Sequence, residues 1–180
     1  LGVDNFGIVF GVLLVPAVLV MPLWAYLGHR IGKRRGYLLA SICFIIGLIC
    51  SLAAQVLPLA VALAHITITS VGYAGMQMFP LAMLPDTISE QAEETGVQRA
   101  GAFTGVWTAG ETAAFAIGPA IVLLLLAVTG YISTTAGQTV IQPASAVTGV
   151  ILAFSVLPVV LVALSLPLIL RYPLREEIPA

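Results

Sequence analysis

Residues 101–131 read GAFTGVWTAGETAAFAIGPAIVLLLLAVTGY and hold one charged side chain, Glu111. At about 1.5 Å per residue, a helix of this length exceeds the roughly 30 Å hydrocarbon core of a bilayer. The run is also far longer than the roughly ten-residue alternating strand of a membrane barrel. It therefore predicts a transmembrane α-helix with an acidic residue inside it.

The whole chain has the composition of a membrane protein. Of its 180 residues, 60% are hydrophobic and 8% are charged, whereas soluble domains average about 25% charged. So few charges could not cover a soluble body of this size. The net charge of −1 gives no basic surface, so no nucleic-acid partner is expected. Cys43 and Cys50 have a spacing that predicts neither a disulfide framework nor a metal site.

Five apolar stretches are long enough to cross a bilayer, and they predict an all-α, polytopic membrane helix bundle. The predicted spans are 6–27, 36–54, 57–84, 101–131 and 147–170. The chain begins with Leu1 rather than Met, and no basic segment precedes the first span. We therefore interpret it as part of a longer protein.

The basic residues predict how the five spans are oriented, because Lys and Arg favour the cytoplasmic side. All 7 follow the first, third or fifth span, and none lies in the alternate segments. We therefore expect cytoplasmic loops at 28–35 and 85–100 and a cytoplasmic tail at 171–180. The start of the chain is expected on the outside.

Glu111 is the one charge that falls deep inside a span rather than in a loop or at a helix end. It lies about ten residues into the fourth span, where an acid costs about 2.5–3.5 kcal/mol by insertion scales. Thr104, Thr108 and Thr112 follow the same helical spacing and predict one polar face, which Trp107 flanks. We expect such an acid to face a bundle interior, a water-filled cavity or a partner cation.

A second and weaker polar stripe lies on the third span. Ser70, Tyr73 and Gln77 are spaced at i, i+3 and i+7, and His65 lies nearer to the start of the span. Hydroxyl and amide groups also hydrogen-bond between packed membrane helices, so helix packing is the alternative interpretation of both stripes. For His65, packing is the expected role.

Three functions are compatible with these stripes. A secondary transporter needs a midplane site among helices that move, and prolines inside the spans predict bent helices of that kind. A non-transporting membrane scaffold or assembly subunit would use the stripes for helix contacts. An intramembrane enzyme would need His65 and Glu111 within hydrogen-bond distance. Since the sequence shows no nucleophile elbow, phosphate loop or metal-ligand spacing, no enzyme is predicted.

Two segments resemble known transporters. Residues 30–34, Arg-Ile-Gly-Lys-Arg, are similar to the short Arg-x-Gly-basic-basic loop of the major facilitator superfamily. Residues 85–103 run from Pro-Asp-x-Ile through an acid to Gly-x-x-Arg-x-Gly-x-Phe. That pattern resembles the loop before helix eleven of glycoside–pentoside–hexuronide:cation symporters, the melibiose-permease-like family. The likeness continues to the end of the last span and Arg171.

The resemblance implies that the spans are helices 8–12 of a twelve-helix major facilitator fold, the C-terminal portion of a protein whose N-terminal helices are missing. It implies a secondary active transporter in a bacterial inner (plasma) membrane, working by alternating access. The expected partners are a sugar, glycoside or other small organic solute, a coupling cation and membrane lipid. No cofactor is expected beyond a coupling Na⁺ or H⁺.

The resemblance and the two stripes together assign roles to individual residues. The expected solute and cation pathway contains Glu111, Thr108, Thr112, Gln77, Trp107 and Tyr73. Thr112 occupies the position at which relatives often carry a cavity-facing Lys. Asp86, Glu90 and Arg99 are expected to form or break ion pairs at the inner face as the helices move. The expected inner gate and its loop motifs together contain Arg30, Gly32, Lys33, Arg34, Asp86, Glu90, Gly96 and Arg99.

Overall fold

A computed structural model describes residues 6–53, 59–134 and 140–171 of the chain. The helices are α1 (Phe6–Ile31), α2 (Lys33–Ala53), α3 (Leu59–Thr95), α4 (Ala100–Val128), α5 (Ala144–Ile151) and α6 (Leu157–Arg171). A five-residue π-helical segment, Leu152–Val156, joins α5 to α6. These described ranges contain no strand, and the predicted all-α membrane bundle is confirmed.

Four helical stretches are long and apolar enough to cross a membrane. They are Phe10–Ile31, Lys33–Leu52, Ala100–Val128 and Ala144–Arg171. The helix α3, which covers most of the predicted third span, is not among them. Its 37 residues mix apolar side chains with histidine, hydroxyl and amide groups in the first half, and carry acidic side chains towards the end.

Two predicted loops are shorter than expected. Only Gly32 is non-helical within 28–35, and the segment 85–100 is helical up to Thr95. The length of an apolar run predicts only the part of a helix that crosses the hydrocarbon core. Lys, Arg, Glu and Gln are good helix formers, so the helices continue beyond that run into the predicted loops. The fourth span ends at Val128 rather than 131. The residues between spans two and three, and the tail after Arg171, lie outside the described residues.

Glycines make the two turns at which the gate motifs lie. Gly32 has a φ of +88°, in the left-handed region that glycine alone enters without a steric cost. Its N–H donates to the Gly28 carbonyl at 3.1 Å, and its own carbonyl accepts from the Gly36 N–H at 3.0 Å. Gly96, with a φ of +69°, ends α3 and donates to the Ala92 carbonyl at 2.9 Å.

The chain forms two compact units. The first contains the described residues up to Gln98 and those from Val159 onward, and its core is centred on Phe79. The fully buried Phe79 ring meets the indole of Trp24 edge-on, with 5.8 Å between centroids. Glycines leave room for the ring, since an added Cβ at Gly28 or Gly36 would lie 2.8 or 2.6 Å from Phe79 Cε1.

The helices α2 and α3 pack with their backbones in close approach. A Cβ added at Gly72 would lie 2.7 Å from Phe44 Cα and 2.8 Å from the Ala40 carbonyl oxygen. A Cβ added at Gly47 would lie 2.6 Å from the Thr69 backbone nitrogen. Membrane helices pack in this way because the hydrophobic effect does not drive them together in lipid. Close van der Waals contact holds them together instead.

Side chains from neighbouring helices donate hydrogen bonds to backbone carbonyls of α1 and α3. Pro16 lies inside α1 and has no N–H to donate to the preceding turn. Ser70 Oγ of α3 donates to the Leu13 carbonyl in that turn. Trp24 Nε1 of α1 donates to the Val71 carbonyl at 2.9 Å. Proline inside a helix is tolerated in a membrane when such donors are available.

The second unit extends from Arg99 to Pro158. Its helices α4 and α5 approach closely where Gly149 meets Thr129, since an added Cβ at Gly149 would lie 2.8 Å from Thr129 Cβ. The Gln142 side chain bridges the backbone of Ile132, accepting from its N–H at 3.0 Å and donating to its carbonyl at 2.7 Å. No described residue of α4 is fully buried.

Candidate functional site

Three threonines lie along one exposed face of α4. Thr104, Thr108 and Thr112 line a shallow groove. The other residues that line it are small: Gly101, Gly105, Ala109, Ala113 and Ala116. Thr104 Oγ1 donates to the Ala100 carbonyl at 2.9 Å. Within the described ranges, the hydroxyls of Thr108 and Thr112 make no side-chain hydrogen bond, so both can contact a ligand.

Glu111 is exposed on α4 and does not line the groove. It lies three residues after Thr108 and seven after Thr104, which places it at the Thr104 edge of the threonine face. No described residue donates a hydrogen bond to its carboxylate or forms an ion pair with it. Trp107, one turn earlier, is half-buried. Both oxygen atoms of the carboxylate are therefore available to accept a proton, a cation or a hydrogen bond from a ligand.

On α3 the structure brings Tyr73 and Gln77 together. Gln77 Nε2 donates to the Tyr73 hydroxyl at 3.0 Å, and both side chains are exposed. The Tyr73 ring lies beside the ring of Phe44 on α2, with 6.3 Å between centroids. Ser70, in contrast, is buried and bonded to α1. The polar stripe on this helix is thus divided into one packing residue and an exposed pair.

His65 is half-buried near the start of α3. Its Nδ1 atom is buried and has no hydrogen-bond partner within the described ranges. Its role as a packing residue, and its alternative pairing with Glu111, both stay predictions.

Lys33 joins the basic turn to α3. Its Nζ lies 2.6 Å from Asp86 Oδ2 and donates to the Ala82 carbonyl at 3.0 Å. Ala82 lies in the turn of α3 that precedes Pro85. The two charged side chains are 34% and 40% exposed, so water reaches the pair. Lys33 therefore neutralises an acid and donates a hydrogen bond to the backbone of α3, in a place that water reaches.

The other gate residues have separate surroundings. Arg34 Nη2 donates to the Leu170 carbonyl in the last turn of α6, where the helix dipole favours a cation. Glu90 is half-buried and Arg99 is exposed at the start of α4. Neither forms an ion pair with a described residue. The structure thus brings together Lys33 with Asp86, and the basic turn with the end of α6.

Sequence reasoning did not find the partner of Arg30. The guanidinium carbon lies 5.2 Å from the ring centroid of Tyr26, within cation–π distance. The signal was present, because an aromatic residue four positions before an Arg on a helix lies directly beside it.

Comparison with known protein families identifies the family of this chain. The model of one family, described as MFS/sugar transport protein, matches residues 3–176. The chain belongs to this family. No curated protein matches the chain. As a member of the MFS/sugar transport family, it is a multi-pass membrane transporter of the major facilitator superfamily, and membership implies transport rather than enzymatic catalysis.

Replacing Lys33 in this MFS transporter by Met should lower the free energy of unfolding by about 0.5–1.5 kcal/mol, since water screens a pair that is about one-third exposed. Asp86 and the Ala82 carbonyl lose their donor, while the apolar stem is kept. Thermal unfolding in lipid-free detergent measures the change.

Arg35→Met is the matched control, because Arg35 is exposed and forms no ion pair with a described residue. Its expected effect is within about 0.5 kcal/mol. In the Lys33→Met, Asp86→Asn double variant the loss should be smaller than the sum of the single losses. A strictly additive result would show that Lys33 and Asp86 do not interact.

Proposed function

We propose that this transporter is a cation-coupled symporter of a sugar or glycoside, of the melibiose-permease-like type, working by alternating access. The observation that carries the proposal is Glu111, a carboxylate without a described partner in a 29-residue apolar helix. An acid at this depth is costly, and intramembrane acids of this kind mark ion and proton pathways. The proposed orientation has the C-terminus in the cytoplasm of a bacterial cell.

Binding of H⁺ or Na⁺ at Glu111 explains how the cation gradient would be coupled to the solute. An ionised carboxylate is expensive to expose to a low-dielectric interior, and a bound cation removes that cost. The loaded carrier can then change conformation more easily than the carrier with an empty, charged Glu111. The hydroxyls of Thr108 and Thr112, on the adjacent face of α4, offer further oxygen atoms to a cation or a solute.

Tyr73 and Gln77 have the chemistry needed to recognise a sugar. The Gln77 amide uses one N–H on the Tyr73 hydroxyl, and its second N–H and its carbonyl oxygen stay available to solute hydroxyls. The exposed Tyr73 ring adds an apolar surface of the kind that aromatic side chains offer to ligands. We assign Trp107 to the same pathway.

The contact of Lys33 with Asp86 and Ala82 supports a gate at the inner end of α3. Movement between bundles needs contacts that have two states, and a water-accessible ion pair beside a proline satisfies this condition. Arg30, Gly32, Arg34, Glu90, Gly96 and Arg99 are proposed as further members of this gate. The scaffold alternative has less support, because Thr108 and Thr112 make no interhelical hydrogen bond within the described ranges.

Uptake into proteoliposomes tests the proposal, with radiolabelled melibiose as the first solute. An inward gradient of Na⁺ or H⁺ should drive accumulation above the external concentration, and an ionophore that collapses the gradient should abolish it. Protein-free liposomes are the control. Equilibration that ignores both gradients would indicate a uniporter, and a folded protein that moves no tested sugar would contradict the assignment.

A further inference from the structure

The four cations of the basic turn are used in two different ways. Lys33 pairs with Asp86, and Arg34 contacts the Leu170 carbonyl, so both hold helices together. Arg30 and Arg35 are exposed, and neither forms an ion pair with a described residue. Half of the positive charge in this turn is therefore free for a partner outside the unit.

Arg30 stands at the end of an exposed apolar stripe on α1. Leu19, Leu23, Tyr26 and Arg30 follow at i, i+4, i+7 and i+11, so they share one helix face. The first three are 73%, 54% and 55% exposed. Eleven residues of helix rise about 16 Å, which is close to the thickness of one leaflet of the hydrocarbon core.

A second stripe of the same design starts at Arg35 on α2. Arg35, Leu39, Ile42 and Ile46 have the same spacing and are all exposed. Because α1 and α2 are joined by Gly32 alone, the two arginines lie at the same end of the helix pair. Each stripe thus has a charged end at the basic turn and an apolar length of one leaflet.

We propose that Arg30 and Arg35 bind the phosphate groups of anionic phospholipids in the leaflet beside the basic turn, with acyl chains along the two stripes. The Tyr26 ring beneath the Arg30 guanidinium limits its freedom before a lipid arrives. An anionic phospholipid supplies both the negative end and the apolar length in one molecule. A second protein helix would have to supply an acid at each arginine to match it. This inference does not depend on the solute or the coupling cation.

The test follows thermal unfolding of the detergent-purified protein during titration with phosphatidylglycerol. We expect a saturable rise of the unfolding midpoint for phosphatidylglycerol and none for phosphatidylcholine. Arg30→Gln and Arg35→Gln should each raise the apparent dissociation constant about fivefold, the equivalent of about 1 kcal/mol per basic residue near a membrane surface. Tyr26→Leu keeps the apolar bulk and should raise it about two- to fivefold.

Arg99→Gln is the charge-matched control, since Arg99 is exposed in the other compact unit and no aromatic contact holds it within the described ranges. It should change the dissociation constant less than twofold, because it removes the same charge without touching either stripe or the Tyr26 contact. An effect equal to that of Arg30→Gln would overturn the site in favour of diffuse attraction. Saturation by glycerol phosphate at the same concentrations would assign the site to a soluble phosphate ester. A rise in mass on a sizing column, in place of lipid binding, would assign the stripes to a second copy of the chain.

Discussion

Glu111→Gln should strongly reduce the gradient-driven accumulation of sugar, while exchange of one sugar molecule for another across the membrane continues. Gln keeps the size and polarity of the side chain but cannot bind a proton or balance a cation. The initial rate of gradient-driven uptake should fall about tenfold or more, which corresponds to the loss of a hydrogen bond or ion contact to a charged group. Counterflow, the exchange of external labelled sugar for internal unlabelled sugar, should be retained, because solute contacts at other residues are unchanged.

Glu93→Gln is the matched control for this experiment. Glu93 is exposed near the end of α3, outside the apolar part of that helix, and the chemical change is identical. It should leave gradient-driven uptake within about twofold, as expected for an exposed charge that is screened by water. If Glu111→Gln lowers counterflow and gradient-driven uptake equally, Glu111 contributes to solute binding or folding and not to coupling.

Gly72→Ala should produce a large loss of stability in the first unit. The new Cβ would lie 2.7 Å from Phe44 Cα and 2.8 Å from the Ala40 carbonyl oxygen. These are backbone atoms of a packed helix and cannot rotate away, so α2 and α3 must separate. We expect about 3 kcal/mol, the upper part of the range for overpacking, measured as a lower midpoint of thermal unfolding.

Gly11→Ala separates packing from helix propensity. Gly11 lies in α1, and nothing stands within 4 Å of a Cβ added there. The same substitution should leave stability unchanged or raise it by up to about 1 kcal/mol, because Ala is the better helix former. Equal unfolding midpoints for the two variants would show that the close approach at Gly72 does not exist in the membrane protein.

The helical fold and the membrane class were predictable because they depend on local properties. An apolar run of about twenty residues reports the hydrocarbon thickness wherever it occurs in a chain. The same measure placed helix ends at the edge of the apolar core, so it ended α1 before Ile31 and α3 before Thr95. Charged residues there prolong the helices into water, and hydropathy alone does not register this.

The candidate site was predictable only in part. Helical spacing placed Tyr73 near Gln77 and Thr108 near Thr112, because residues three or four apart on a helix are neighbours. It could not show that the acid facing Lys33 is Asp86, which is 53 positions away in the chain. Nor could it show that the Ala82 carbonyl of α3 accepts the second hydrogen bond of the same ammonium group.

The sequence by itself determined that this protein is a helical membrane protein, since the length of an apolar run can be counted along the chain. Its two loop motifs added a resemblance to major facilitator transporters. Only the tertiary structure decided how the polar residues are used. Ser70 is engaged by Leu13, 57 positions distant, while Tyr73 of the same stripe is exposed beside Gln77. The physical reason is that a polar group inside a membrane must find a partner, and the partner is set by which helices pack together.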